Sequence, residues 1–243
     1  MDTLFIVIPA YNESENIKDL IEEWYPVVEK VGGNSKLLIV DDGSKDSTYA
    51  VASECRLGRG QLEVCTKENQ GHGATVLWGY QYALDQGADY VFQTDSDRQT
   101  CPDEFWQFWE MRNQYDLIIG NRNSREDGIS RIFVTKVLKF VVWICFGVWA
   151  ADVNTPFRLM KAEGLKENLV WIPDQFNLSN VVLTVLYMKR NYRVKFIPIT
   201  FKARQKGTNS INLRRIAGIG VKALKDFRTI SKSLGRMKKG QIS

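Results

Sequence analysis

The sequence predicts an α/β fold, a mostly parallel sheet flanked by helices. Over the first 122 residues, five short apolar β-rich runs alternate with helical stretches, an order that produces parallel strands joined by crossover helices. The runs are continuously apolar rather than alternating, as in strands covered on both faces. Each run is also followed by polar or glycine-rich residues. Ligands of such sheets bind outside the carboxyl ends of the strands, so five such ends define a site where one alone would mean little.

The first run, Leu4–Pro9, leads into Pro9-Ala-Tyr-Asn-Glu13. Ile17, Leu20, Ile21, Trp24, Val28 and Val31 then recur at helical spacing. The second run, Lys36–Asp41, continues into Asp42-Gly-Ser44, and a helix is expected from about Ser47 to Leu57. The third, Leu62–Thr66, precedes Asn69-Gln-Gly71-His72-Gly73 and a helix from Gly73 to Asp85. The fourth, Tyr90–Thr94, precedes Asp95-Ser96-Asp97-Arg98-Gln99. A helix over Pro102–Asn113 follows, its proline suited to a first turn. The fifth, Asp116–Asn121, ends at Arg122. No internal repeat interrupts this order.

Charge divides the chain. Of 33 basic and 28 acidic residues, 12 basic and one acidic (Asp226) fall in residues 202–243. The net of +5 therefore hides +11 at that end and −6 over residues 1–201. A basic end meets phosphate on nucleic acid, an anionic membrane or a phosphorylated ligand. Four scattered cysteines without a CxxC pair, and the single histidine His72, argue against a zinc site or a disulfide framework. The Met-Asp-Thr-Leu start lacks a basic region followed by an apolar run, so no signal peptide is expected.

Asp95 and Asp97, two carboxylates at i and i+2 just past a strand, suit a hard divalent cation, Mg²⁺ or Mn²⁺, that also holds substrate phosphates. The same residues serve equally as turn and cap residues. Asp41 and Asp42 offer acceptors to a ribose hydroxyl or a base N–H, or else form a turn with Ser44 or Asp46 capping the next helix. The loop Asn69–Gly73 could bring backbone N–H groups to phosphate. It is neither a dinucleotide fingerprint nor a P-loop. His72 is a ligand contact or a solvent-facing loop residue.

Together, Pro9-Ala-Tyr-Asn-Glu13, Val40-Asp-Asp-Gly-Ser44, Asn69-Gln-Gly and Asp95-Ser-Asp97, in this order and spacing, resemble the family-2 inverting glycosyltransferases of GT-A, Rossmann-like fold. The nearest resemblance is to the polyprenol-phosphate hexose synthase branch, which includes dolichol-phosphate mannose synthase, over roughly residues 3–210. The resemblance implies a nucleotide-sugar site at Pro9, Tyr11, Glu13, Asp41, Asp42, Asn69, Gly71, Asp95, Ser96 and Asp97. It implies a metal at Asp95, Asp97 and Gln99, with Arg98 replacing an apolar residue and either adding a phosphate contact or facing solvent. Gly120-Asn-Arg122 resembles the branch's Gly-Ser-Arg, whose arginine faces phosphate, and Arg131 stands for a second one. Asp152-Val-Asn-Thr-Pro-Phe-Arg158 resembles Asp-x-Thr-x-Gly-Phe-Arg, and Pro156 replaces its glycine. Arg204-Gln-Lys-Gly-Thr-Asn-Ser210 resembles Arg-x-x-Gly-x-Ser-Lys with one extra residue and no final lysine, Lys206 standing in. Arg122, Arg131, Arg158, Arg204, Lys206 and Ser210 are thus the expected acceptor and phosphate residues.

The activity implied is metal-dependent transfer of a hexose from a UDP- or GDP-sugar to polyprenyl phosphate, with Asp95, Asp97 and Arg122 carrying it. A hydroxyl acceptor on a glycan or lipid would need a base. The segment Phe176–Val182, where many relatives place an acidic pair, holds no carboxylate, and Asp174 is the nearest candidate. A reading of another class is a non-catalytic nucleotide-sugar-binding, membrane-docking protein.

Two segments bear on the membrane. In Ile132–Ala151, Phe133, Val137, Phe140, Val141, Ile144 and Val148 recur at helical spacing, with Lys136 and Lys139 on another side and Trp143 and Trp149 suited to an interface. A buried helix or a homo-oligomer face fits the same pattern. After a glycosyltransferase domain over residues 1–210, residues 211–243 read as a basic amphipathic helix and tail, with Leu213, Ile216, Gly220, Leu224, Phe227 and Leu234 in one stripe. That suits an anionic leaflet, and no recognition motif accompanies it for nucleic acid. The expected location is cytoplasmic, peripheral on the inner face of the plasma membrane. Attachment is direct or through a membrane-protein partner.

Overall fold

The computed structural model describes residues 2–122, 129–202 and Phe227, with the backbone alone over 129–137. The chain runs β1 (Leu4–Ala10), α1 (Ile17–Val31), β2 (Lys36–Asp41), α2 (Thr48–Glu54), β3 (Leu62–Thr66), α3 (His72–Asp85), β4 (Tyr90–Gln93), α4 (Phe105–Glu110) and β5 (Leu117–Arg122). Then come α5 (Ile129–Phe146), β6 (Arg158–Lys161), α6 (Ala162–Leu169), α7 (Ser179–Lys189) and β7 (Val194–Ile199). The seven strands form one sheet in the order β3-β2-β1-β4-β6-β5-β7. Only β6 runs against its neighbours, β4 and β5; every other pairing is parallel.

The strands alternate between two cores, as their period of two dictates. Leu4, Ile6 and Ile8 of β1 and Leu37 and Ile39 of β2 face α1, whose buried stripe is the predicted one with Tyr25 and Val27 added. Phe5, Val7, Leu38 and Val40 face α3 and α7 on the other side. On the first side, Phe92 packs between Trp24, tilted against it, and Phe157, edge to face, with ring centroids 5.5 and 4.7 Å away. Burying each such ring is worth roughly 2 kcal/mol. On the second side α3 lies almost against β1: a Cβ on Gly79 would fall 2.4 Å from Val7 Cγ1.

The five expected strands are all present: β2 and β3 have the expected bounds, and the ends of β1, β4 and β5 differ by one residue. The helix expected over Pro102–Asn113 divides into a 3-10 turn, Pro102–Glu104, and the short α4. The helix expected to Leu57 stops at Glu54, because residues 55–58 turn toward the left-handed Gly58 (φ +75°). α5 ends at Phe146, and Gly147 (φ +63°) turns the chain. Val148 therefore lies past the helix. Among the described side chains of α5, residues 138–146, Val142 and Phe146 are buried, while Phe140 and Ile144 of the expected stripe point outward; Phe133 and Val137 lie outside the described side chains. Phe146 packs on Phe227 and Phe176 also reaches that ring, at 5.3 and 6.1 Å. The expected stripe and tail over residues 211–243 otherwise lie outside the described residues, so no boundary at residue 210 is drawn from the structure.

Candidate active site

The carboxyl ends of the six parallel strands lie along one sheet edge, and antiparallel β6 enters there. Its approach, Asp152–Phe157, therefore joins the loops after β1–β5 and β7.

The first two loops are laced together. Asn12, in the left-handed region at φ +54°, donates its N–H to Ser44 Oγ and accepts from the Lys45 N–H, at 2.9 and 2.8 Å. The Glu13 N–H donates to Thr48 Oγ1 at 2.8 Å, and buried Glu13 accepts from Asn16 Nδ2 at 2.6 Å. Pro9 is buried within β1, while Tyr11 stands on the rim, 41% exposed. That is the disposition of a ring offered for stacking.

The two aspartates after β2 differ. Asp41 accepts from Thr66 Oγ1 at 2.7 Å and more loosely from the Ser44 N–H. Asp42 accepts from the N–H groups of Gln70 and Gly71 at 3.0 and 2.9 Å and pairs with Lys67 at 2.5 Å. Asn69 Nδ2 donates to the Asp42 carbonyl at 2.8 Å. Burial pushes the Asp42 carboxyl up, but Lys67 and the Gln70 N–H outweigh it and hold the group below its ordinary value. Asp42 thus shapes the glycine loop that follows β3. Gly73 explains that loop's composition: a Cβ there would lie 2.1 Å from the Phe176 carbonyl oxygen.

After β4, Thr94 and Thr100 bond at 2.8 Å and close the loop that carries the acidic pair. Within it Ser96 is buried, and the Gln99 N–H reaches Asp97 Oδ1 at 3.3 Å. Arg98, at φ +58°, neither faces solvent nor waits for phosphate; it turns back to Asp19 and Glu23 of α1, at 2.6 and 2.5 Å. Gln99 Nε2 donates to the Lys202 carbonyl and the Lys202 N–H donates to Gln99 O, both at 2.8 Å. The segment after β7 is thereby zipped to the acidic loop. His72, the first residue of α3, meets Asp95 Oδ1 through Nε2 at 2.9 Å. The ring is half exposed; partial desolvation disfavours its charged form, but the charges of Asp95, then Asp97 and Asp42, hold its pKa above the ordinary value.

Arg122 at the end of β5 grips Asp152 through Nε and Nη2 at 2.8 and 3.1 Å, and its guanidinium lies 5.1 Å from the Phe201 ring. Arg158 departs from the expected phosphate role. It is fully buried and donates to the carbonyls of Thr155, Asn180 and Val153 and to Thr184 Oγ1. It ties the approach of β6 to α7 from inside the core. Asp174 is exposed in the turn before α7. The Arg131 side chain, Arg204, Lys206 and Ser210 lie outside the described residues. The partnership of His72 with Asp95 and that of Asp152 with Arg122 were not specified by the motifs alone. The isolated histidine before a helix was the one available hint.

The donor set fits a hard cation in part. Asp95 and Asp97 supply carboxylate oxygens, and Gln99, its nitrogen anchored on Lys202, has its amide oxygen to offer. Among the described residues no three His, Cys, Asp or Glu side chains are grouped to hold a metal. Magnesium-type sites commonly take one or two carboxylates and fill the remaining positions with substrate phosphate and water.

The Glycosyl transferase family 2 profile matches residues 5–169, more than half of the chain. The chain belongs to glycosyl transferase family 2. It is 26% identical over 216 residues to polyprenol monophosphomannose synthase of Mycolicibacterium smegmatis, covering 85% of this chain and 80% of that one. It is 26% identical over 199 residues to undecaprenyl-phosphate 4-deoxy-4-formamido-L-arabinose transferase of Pectobacterium atrosepticum, covering 77% of this chain. It spans 60% of the length of that relative. Among solved structures, glucosyl-3-phosphoglycerate synthase from Mycobacterium tuberculosis, in complex with Mn²⁺, UDP and glucosyl-3-phosphoglycerate, superposes with a TM-score of 0.68 at 16% identity. That match covers 95% of this chain and 80% of the other and shows a shared GT-A fold.

Proposed function

We propose that this family-2 member is a metal-dependent inverting glycosyltransferase that moves a hexose from a UDP- or GDP-sugar to polyprenyl phosphate at the inner face of the plasma membrane. One observation carries the reading. At a single sheet edge, the loop bearing Asp95 and Asp97 stands two strands from the Arg122–Asp152 pair, roughly 10 Å by strand spacing. An acidic end for a cation-held diphosphate thus neighbours an arginine, oriented by Asp152, that can meet a second phosphate. The relatives named for polyprenol and undecaprenyl phosphate support the acceptor class.

Tyr11, Glu13 and Asp41 would hold the nucleoside, Tyr11 by stacking and Asp41 by accepting hydroxyl or base N–H hydrogens. Bound at Asp95, Asp97 and Gln99, the cation would neutralise charge on the departing diphosphate. His72 holds Asp95 in place. Arg122, oriented by Asp152 and Phe201, would present the acceptor phosphate to the anomeric carbon. A phosphate oxygen forms the new bond as the sugar–diphosphate bond breaks on the opposite face, and the carbon inverts. The attacking oxygen is already anionic, so no base is required. A hydroxyl acceptor would instead lose its proton to a carboxylate, for which Asp174 is the nearest residue along the chain.

Incubating the protein with UDP- and GDP-hexoses, Mn²⁺ and membrane lipid extract should yield a glycosylated polyprenyl phosphate by mass spectrometry. Asp97→Asn should cut that yield at least about a hundredfold at an unchanged melting temperature. Undiminished transfer by Asp97→Asn would sink the metal assignment, and donor binding without transfer or hydrolysis would favour a non-catalytic binder.

A further inference from the structure

Arg98 stands between Asp97 and Gln99, two of the three residues assigned to the cation. By charge alone a guanidinium at that point opposes a cation. Its backbone is also in the left-handed region, at φ +58°, which a long side chain adopts only at a cost. Such a cost persists where the surrounding contacts hold it in place, and it gathers at working sites.

The contacts that hold Arg98 come from α1. Its Nε and Nη2 both donate to Glu23 Oε1, at 3.1 and 2.5 Å, and its Nη1 donates to Asp19 Oδ2 at 2.6 Å. Asp19 and Glu23 are four residues apart on the helix, so they share a face and repel each other unless a cation lies between them. Arg98 is 17% exposed and engages both acids at once, which sets it apart from an isolated surface pair. The loop is not packed solid on this side. A cavity of about 310 Å³ is bordered by Glu23 of α1 and by Arg98, Thr100 and Lys202. Besides the Thr94–Thr100 bond and the Gln99–Lys202 pairing, the ion pairs are a third tether, the one that runs to α1.

We propose that Arg98 is a positioning residue for the acidic loop: its ion pairs with Asp19 and Glu23 set the backbone turn that presents Asp97 and Gln99 to the cation. This rests on the cation reading within the proposed function. It extends the support of the cation to α1, whose two acids lie outside the set assigned to the metal.

The sign of one measurement separates this role from plain electrostatics. Removing a positive charge beside the carboxylates would tighten Mn²⁺ through charge alone; removing a clamp loosens it. With UDP present, Mn²⁺ affinity read by electron paramagnetic resonance should fall at least about tenfold in Arg98→Leu, in protein still folded by circular dichroism. Asp19→Asn/Glu23→Gln, which leaves the loop's own sequence intact, should weaken Mn²⁺ by a similar factor. The triple variant should bind no more weakly than Arg98→Leu, because all three changes break one tether. In metal-free protein, amide exchange at residues 97–99 should accelerate in both variants while β4 keeps its protection. Equal or tighter Mn²⁺ binding by Arg98→Leu, with the parent binding, would overturn the inference and leave the cation reading standing. Losses that add in the triple variant, or unchanged exchange at residues 97–99, would overturn it as well. Failure of the parent to take up Mn²⁺ with UDP would refute the cation reading itself, and this inference with it.

Discussion

At the scale of single residues, the candidate site is built from charges whose partners are already fixed. His72 holds Asp95 at 2.9 Å, so His72→Ala should loosen one of the two carboxylates expected to meet the cation. Mn²⁺ affinity, followed by electron paramagnetic resonance, should fall roughly tenfold to a hundredfold, as when a ligand loses its orienting neighbour. An unchanged affinity would show that Asp95 needs no such support. Arg158 makes the opposite case, a guanidinium spent on carbonyls in the core. Arg158→Met should strand those acceptors and cost about 3 kcal/mol, read as a lower midpoint in urea. Sequence could name Arg158 by its motif but not foresee its burial, because the motif does not say which face of a strand its arginine occupies. Asp42 and Arg98 were ambiguous for a related reason: their partners, the N–H groups at residues 70–71 and the acids of α1, are far away along the chain.

At the scale of elements, the first half of the chain was legible and the second much less so. Continuous apolar runs separated by helical stripes fixed β1–β5 and α1–α4 to within a few residues. β6, only four residues long and antiparallel, carries Arg158 and Lys161 at its ends, so no apolar run announced it. β7 mixes Lys195 and Pro198 among its apolar residues, as an edge strand tolerates. Glycines were legible as loop residues but not as contact points. Gly73→Ala would thrust a methyl group to 2.1 Å from the Phe176 carbonyl, so the turn before α7 must shift. We expect a loss of roughly 1–3 kcal/mol, with faster proteolysis of residues 173–178 as the local signature.

For the whole molecule, acid strength is set at both ends of the sheet. Asp42 braces the site end. Asp116, opposite, accepts from the Arg193 N–H at 2.9 Å and pairs with Lys161 at 3.4 Å. Burial pushes both carboxyls up, yet Lys67 and Arg193, the foremost of their partners, hold both below the ordinary value. By linkage their stabilisation is complete above the unfolded carboxyl pKa, near pH 4, and is lost as pH falls through the depressed folded values. Melting temperature should therefore decline steeply below about pH 4. Asp116→Asn should flatten that decline; a slope as steep as the parent's would exclude Asp116 from it.

The single reversed strand has one more consequence. Because β6 runs against β5, the chain departs from the sheet at Arg122 and comes back to the same border at Asp152, where the two residues clasp each other. The intervening excursion, which carries α5, Trp143 and Trp149, has both feet pinned to one spot, while the loops proposed to hold nucleoside and diphosphate lie on the other strands. Under the proposed function, trading that segment between relatives should change the acceptor used and leave donor hydrolysis as it is.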